Sequence, residues 1–200
     1  MDDADRAAVL AIARSIAPLD ETAFDSVLRT MQCRALAAGD TLLRAGDHDP
    51  PEVFVLEGML RTSVADAEGR EVTLAFHTGP GVLMPAITRL AGDRSRVDCT
   101  AMTPARVAAF PSDALLQCML AHPVVQRWGD AVLRAELMRR ADREWSLAAL
   151  PAARRLRDLR RLHPGLEDQV AHHHIASYLG ITPVSLSRLR AQLRRAVPGD

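Results

Sequence analysis

The stretch His172-His-His-Ile-Ala-Ser-Tyr-Leu-Gly-Ile-Thr-Pro-Val-Ser-Leu-Ser-Arg-Leu-Arg-Ala191 decides the reading of this 200-residue chain. Its apolar positions are Ile175, Leu179, Ile181, Leu186 and Leu189, with Ala176 and Gly180 among them. Two short helices crossing steeply need this arrangement: a small residue where the backbones approach, and a glycine in the turn, where positive φ costs little. Thr182 is placed to cap a second helix, and Pro183 takes its first position, where a missing N–H is harmless. That helix turns Leu186, Leu189 and Leu193 inward. It turns Val184, Ser187, Arg188 and Ala191 outward, with Ser185 at the edge. This is the pattern of a helix-turn-helix, whose second helix enters a DNA major groove. Arg188 is the candidate for a guanine edge. Thr182, Ser185 and Ser187 suit phosphates or base edges, and Arg190, Arg194 and Arg195 suit the backbone phosphates.

Working outward, Pro151 precedes a basic helix from Ala152 to Leu162 with Leu156 and Leu159 on one face. Upstream of Pro151, a long helix fits Pro123 to about Leu150, roughly 40 Å at 1.5 Å per residue. Val124, Trp128, Ala131, Ala135, Met138 and Trp145 recur along it at spacings of three, four and seven, a seam that predicts pairing with a second copy. From Cys33 to Phe110 the pattern changes to short apolar runs at 41–43, 53–56, 60–64, 72–76, 97–101 and 106–110. Gly, Pro and Asp separate them, as in an antiparallel sandwich or barrel. Two short helices precede this region, one carrying Val9, Ile12 and Ile16 and ended by Pro18, the other capped by Asp20. Ser112 or Asp113 is expected to cap a helix through Leu120. The domains are therefore expected at 1–122, 123–150 and 151–200.

Charge divides along the same line. Residues 1–150 hold 16 Arg against 21 Asp and Glu, a net of −5, and residues 151–200 hold 9 Arg against 4, a net of +5. A basic end behind an acidic body points to nucleic acid. No apolar run reaches the roughly 18 residues of a membrane span. The acidic start Met1-Asp2-Asp3 and the three scattered cysteines, Cys33, Cys99 and Cys118, point to a reducing cytoplasm.

Short β elements, a long helix and a C-terminal helix-turn-helix, in that order, resemble the CRP/FNR family of bacterial transcription regulators. The most specific stretch is His174–Arg190, and Ala45-Gly46-Asp47, Val53–Gly58 and Asp66–Leu74 are weaker echoes. The resemblance implies an α+β architecture: a cyclic-nucleotide-binding-like jelly roll, a dimerisation helix and a winged-helix-like DNA-binding domain. It implies double-stranded DNA, a second copy, RNA polymerase and a small effector as partners, and no enzymatic activity or membrane. The sequence departs from the family in three places. Met84 and Pro85 stand where cyclic-nucleotide binders carry Gly-Glu, leaving Arg94, Ser95 and Arg96 as the remaining candidates for an effector pocket. The cysteines form no iron-sulfur cluster, and a haem would have only His48, His77 or His122, so no cofactor is expected. Pro183 and Val184 replace the Arg and Glu that often open the family's recognition helix, and Asp200 comes before the hairpin wing. Two other classes fit the pattern less well. A cupin-like metal enzyme needs paired histidines, which residues 33–110 lack. A sensor acting through protein contacts alone leaves the basic end unexplained.

Overall fold

The computed structural model describes residues 1–196, the last two of them in backbone only. Helix α1 (Asp3–Ile16) is capped by Asp2, whose carboxylate accepts the Asp5 N–H at 2.7 Å, and α2 (Glu21–Leu28) by Asp20, which accepts Ala23 N–H at 2.9 Å. Ten strands follow. Of these, β1 (Gln32–Leu36), β10 (Ala105–Phe110), β3 (Glu52–Glu57) and β6 (Gly81–Leu83) lie side by side in that order. So do β2 (Thr41–Leu43), β9 (Asp98–Ala101), β4 (Met59–Ala65) and β5 (Glu71–Thr78). A small ribbon pairs β7 (Leu90–Ala91) with β8 (Arg94–Ser95). Six strands coincide with the apolar runs. β1 and β6 do not, because Gln32–Leu36 is a largely exposed edge and Gly81–Leu83 sits among glycines and prolines.

Helices α3 (Ser112–Ala121), α4 (Pro123–Ala149), α5 (Ala152–Leu162), α6 (Leu166–Gln169), α7 (His172–Tyr178) and α8 (Pro183–Ala196) account for the remaining helices among the described residues. Neither Ser112 nor Asp113 caps α3; Pro111 holds the cap position, and the Ser112 hydroxyl donates to the Pro50 carbonyl at 3.0 Å instead. The chain divides into two compact units. One comprises residues 1–62 and 76–138, the other 63–75 and 139–200.

The first unit is built around Trp128, which is fully buried. Its ring lies 5.5 Å from Phe24 and 6.2 Å from Phe54, and its indole N–H donates to the Ala13 carbonyl at 2.9 Å. Only Val125, Trp128 and Val132 of α4 are buried, and Val124 packs half-buried against the same core. This corrects the seam. Trp128 and Val124 belong to the core of the first unit, whereas Ala135, Met138 and Trp145 of the same stripe are exposed, because beyond Val132 no residue of α4 is buried. Trp128→Phe keeps one aromatic ring but removes the second ring of the indole together with the N–H donor. The expected cost is about 1–2 kcal/mol, read as a lower midpoint in urea with an unchanged slope.

Candidate nucleic-acid interface

Within the second unit, Leu156 and Leu159 of α5 share a core with Leu166, Val170, Ile175, Ala176, Leu179 and Leu186, all at or below 5% exposure. The α7–α8 turn takes the form that the sequence requires. Gly180 adopts φ +64°, and a Cβ there would come within 3.1 Å of the Leu147 side chain. Ile181 N–H donates to the Ala176 carbonyl at 3.0 Å, closing α7. Thr182 caps α8: its hydroxyl oxygen accepts the Ser185 N–H at 3.1 Å and lies 2.9 Å from the Ser185 hydroxyl.

Two arginines, unremarked in the sequence, hold this turn. The last carbonyls of a helix carry negative partial charge and lack partners within it. Arg143 donates to the Tyr178 carbonyl, with its guanidinium carbon 3.9 Å from the centre of the Tyr178 ring. Arg155 donates to the Leu179 carbonyl at 3.0 Å and to the Leu150 carbonyl at 2.5 Å, joining the end of α4 to the end of α7. The Ser177 hydroxyl accepts the Thr73 N–H at 2.9 Å, so the 63–75 hairpin also fastens α7.

On the outer face of α8, Thr182, Pro183, Val184, Ser185, Ser187, Arg188 and Arg194 are exposed, with Val184 at 60%. Ala191 is half-buried rather than outward, and the side chain of Arg195 lies outside the described residues. Arg190 is a correction. Its side chain is only 13% exposed and its Nε lies 2.6 Å from Glu167 Oε1, while Arg160 approaches Oε2 of the same carboxylate at 2.5 Å. Arg190 ties α8 to α6 and is not presented to a phosphate.

Burial alone would raise the Glu167 pKa, but hydrogen bonds and charge from Arg160 and Arg190 outweigh it and hold the carboxyl below its usual range. A carboxylate depressed in the folded state stabilises above its unfolded pKa of about 4.3, and that contribution fades as pH falls through the folded value. Stability should therefore be insensitive to this group from pH 7 to 5 and decline below. Glu167→Gln should lower stability at pH 7 by about 1–2 kcal/mol, discounted for partial exposure, and should flatten the acid limb below pH 4.5. Denaturant melts at pH 7 and pH 3.5 check both.

The effector-pocket residues do not converge. Met84 is buried and Pro85 half-buried, whereas Arg94 and Arg96 are exposed. Arg94 donates to the Gly46 carbonyl at 2.9 Å. The buried Ser95 hydroxyl donates to the Val97 carbonyl at 2.8 Å. The buried cation of this segment is Arg89, at the end of the 3-10 turn Ala86–Arg89. Its guanidinium donates to the carbonyls of Leu83 (3.1 Å) and Pro51 (3.0 Å), while Glu52, which begins β3, accepts the Ala86 N–H at 2.8 Å. Arg89 and Glu52 thus hold the segment in place from within, and neither stood out in the sequence. His48 is paired with Asp93 at 2.8 Å and His77 lies 3.3 Å from the Thr62 hydroxyl. Among the described residues, no group of three His, Cys, Asp or Glu is placed to hold a metal ion, and no helix is long and apolar enough to cross a membrane.

Residues 33–122 match the family model of the cyclic nucleotide-binding domain. A comparison with curated proteins returned no match. Solved structures share this fold. FixK2 from Bradyrhizobium japonicum superposes with a TM-score of 0.71 at 20% identity over 85% of this chain and 89% of that one. The c-di-GMP-responsive regulator CLP of Xanthomonas campestris gives 0.70 at 17% identity, over 90% and 96%. A CRP/FNR-family regulator from Eubacterium rectale gives 0.71 at 15% identity, over 89% and 85%.

Proposed function

We propose that this protein is a cytoplasmic, homodimeric transcription regulator of the CRP/FNR type and not an enzyme, binding double-stranded DNA through α8. One observation carries the reading. On a helix-turn-helix fixed by Gly180, Thr182, Arg143 and Arg155, the outer face of α8 leaves Val184, Ser187 and Arg188 exposed together. The second copy docks along α4, where Leu133, Leu137 and Met138 stand 46–64% exposed beside Ala131 and Ala135. The jelly roll receives the effector, and RNA polymerase is the partner at the promoter.

That effector is not a cyclic nucleotide held in the family's usual way. Arg94 is exposed and bonded to Gly46, Ser95 is bonded to Val97, and Met84 fills buried space where Gly would leave room. Titrating fluorescent random duplex with the full chain tests the reading. Binding should be measurable at 50 mM salt and fall steeply by 200 mM as phosphate counterions are recaptured. Millimolar cyclic AMP should leave the melting midpoint unchanged, although saturation at 100 times a Kd would add about 2.7 kcal/mol. No binding at low salt would refute the DNA reading, and a rise of several degrees with cyclic AMP would refute the effector reading.

A further inference from the structure

We infer that Val184 makes this helix selective for thymine, through contact with the 5-methyl group in the major groove. The inference rests on the DNA-binding reading and deepens it. Val184 is one of the few large apolar side chains exposed in the second unit, at 60%, and it lies in the first turn of α8. Among the described residues it stands open, whereas Leu186, two residues on, is 1% exposed in the core. At 100° per residue, 184, 187 and 188 share a face about 100° wide, so the outward chemistry of the helix is an isopropyl group, a hydroxyl and a guanidinium. The neighbouring hydroxyls of Thr182 and Ser185 are engaged with each other and with the helix cap. Arg190 is engaged with Glu167.

The thymine methyl is the apolar group that projects from the major-groove edges; cytosine has only a C–H in its place, and the other recognition groups are donors or acceptors. An isopropyl group set against adenine, guanine or cytosine would strip water from a polar edge and return no hydrogen bond, so selectivity comes from rejection as well as from contact. The rise from 184 to 188 is ~6 Å, about two base steps, which places the thymine within roughly two base pairs of the guanine that Arg188 reads.

The test begins by enriching a site for the 200-residue chain from randomised duplex. Each thymine of that site is then replaced in turn by uracil, which lacks only the methyl group. Wild-type protein should lose about three- to fivefold in affinity at one thymine per half-site, the value of one buried methyl. Val184→Ala, whose melting midpoint should be unchanged, should bind the thymine site more weakly and show almost no further loss with uracil at that position. Reselection with Val184→Glu should replace that thymine with cytosine, whose amino group a carboxylate accepts. If uracil costs the variant as much as the wild type at every thymine, or if Val184→Glu enriches the same base, the inference falls while the DNA reading stands. If no sequence is enriched at all, the DNA reading falls and takes the inference with it.

Discussion

Replacing Ala135 and Met138 together with glutamate is expected to halve the mass of this protein in solution, from twice 21.8 kDa to 21.8 kDa. Both side chains are exposed, and together with Arg127, Asp130, Ala131 and Arg134 they line a shallow groove along α4. In a two-fold interface the same patch meets itself, so two substitutions bring four carboxylates into one seam. Like charges forced out of water together cost several kcal/mol, enough to dissociate a helix pair at micromolar concentration. Folding should survive, because the buried residues of α4 are Val125, Trp128 and Val132 and are untouched. A monomer reaches one half-site at a time, so affinity for a symmetric operator should drop by roughly 100-fold or more, the loss of the second tethered contact. Light scattering that still reports a dimer would move the interface off this face.

Arg188→Ala is expected to weaken binding to the selected operator by roughly 5- to 150-fold, the equivalent of about 1–3 kcal/mol for a bidentate guanine contact. Arg188 is exposed, six residues after the capping Thr182, whereas Leu186 of the same helix is buried. The melting midpoint should therefore hold. Binding to random duplex should fall far less, since phosphate contacts carry it. The removal of Arg190 from the interface sharpens this expectation, because Arg188 and Arg194 are then the cations presented on α8 among the described side chains. Equal losses on both duplexes would make Arg188 a phosphate contact.

The helix-turn-helix was legible because its determinants are local. A left-handed glycine, a Thr-Pro helix start and leucines at helical spacing lie within twenty residues and mark the turn locally, although Arg143 and Arg155 then hold it from outside that stretch. The same holds for α4, bracketed by Pro123 and Pro151. Its use was less legible. The stripe through Trp128 and Ala135 is continuous in sequence, yet burial stops at Val132, and no periodicity reports where a core ends. Arg190 was misread for a similar reason, since its partner Glu167 lies 23 residues away on another helix. In the jelly roll, Arg94 sat in the expected pattern but faces out. Arg89, which is buried, gave no signal because its partners are backbone carbonyls. Arg143 and Arg155 escaped notice for the same reason: a cation capping a distant helix end leaves no motif in sequence.

Selection of bound sequences from a randomised duplex library by the 200-residue chain tests DNA readout by α8 most directly. A two-fold symmetric consensus is expected, with half-sites about one helical turn or a multiple of it apart, each containing a guanine whose loss is felt by wild type and not by Arg188→Ala. An unenriched pool, or a consensus that survives unchanged in Arg188→Ala, would contradict it.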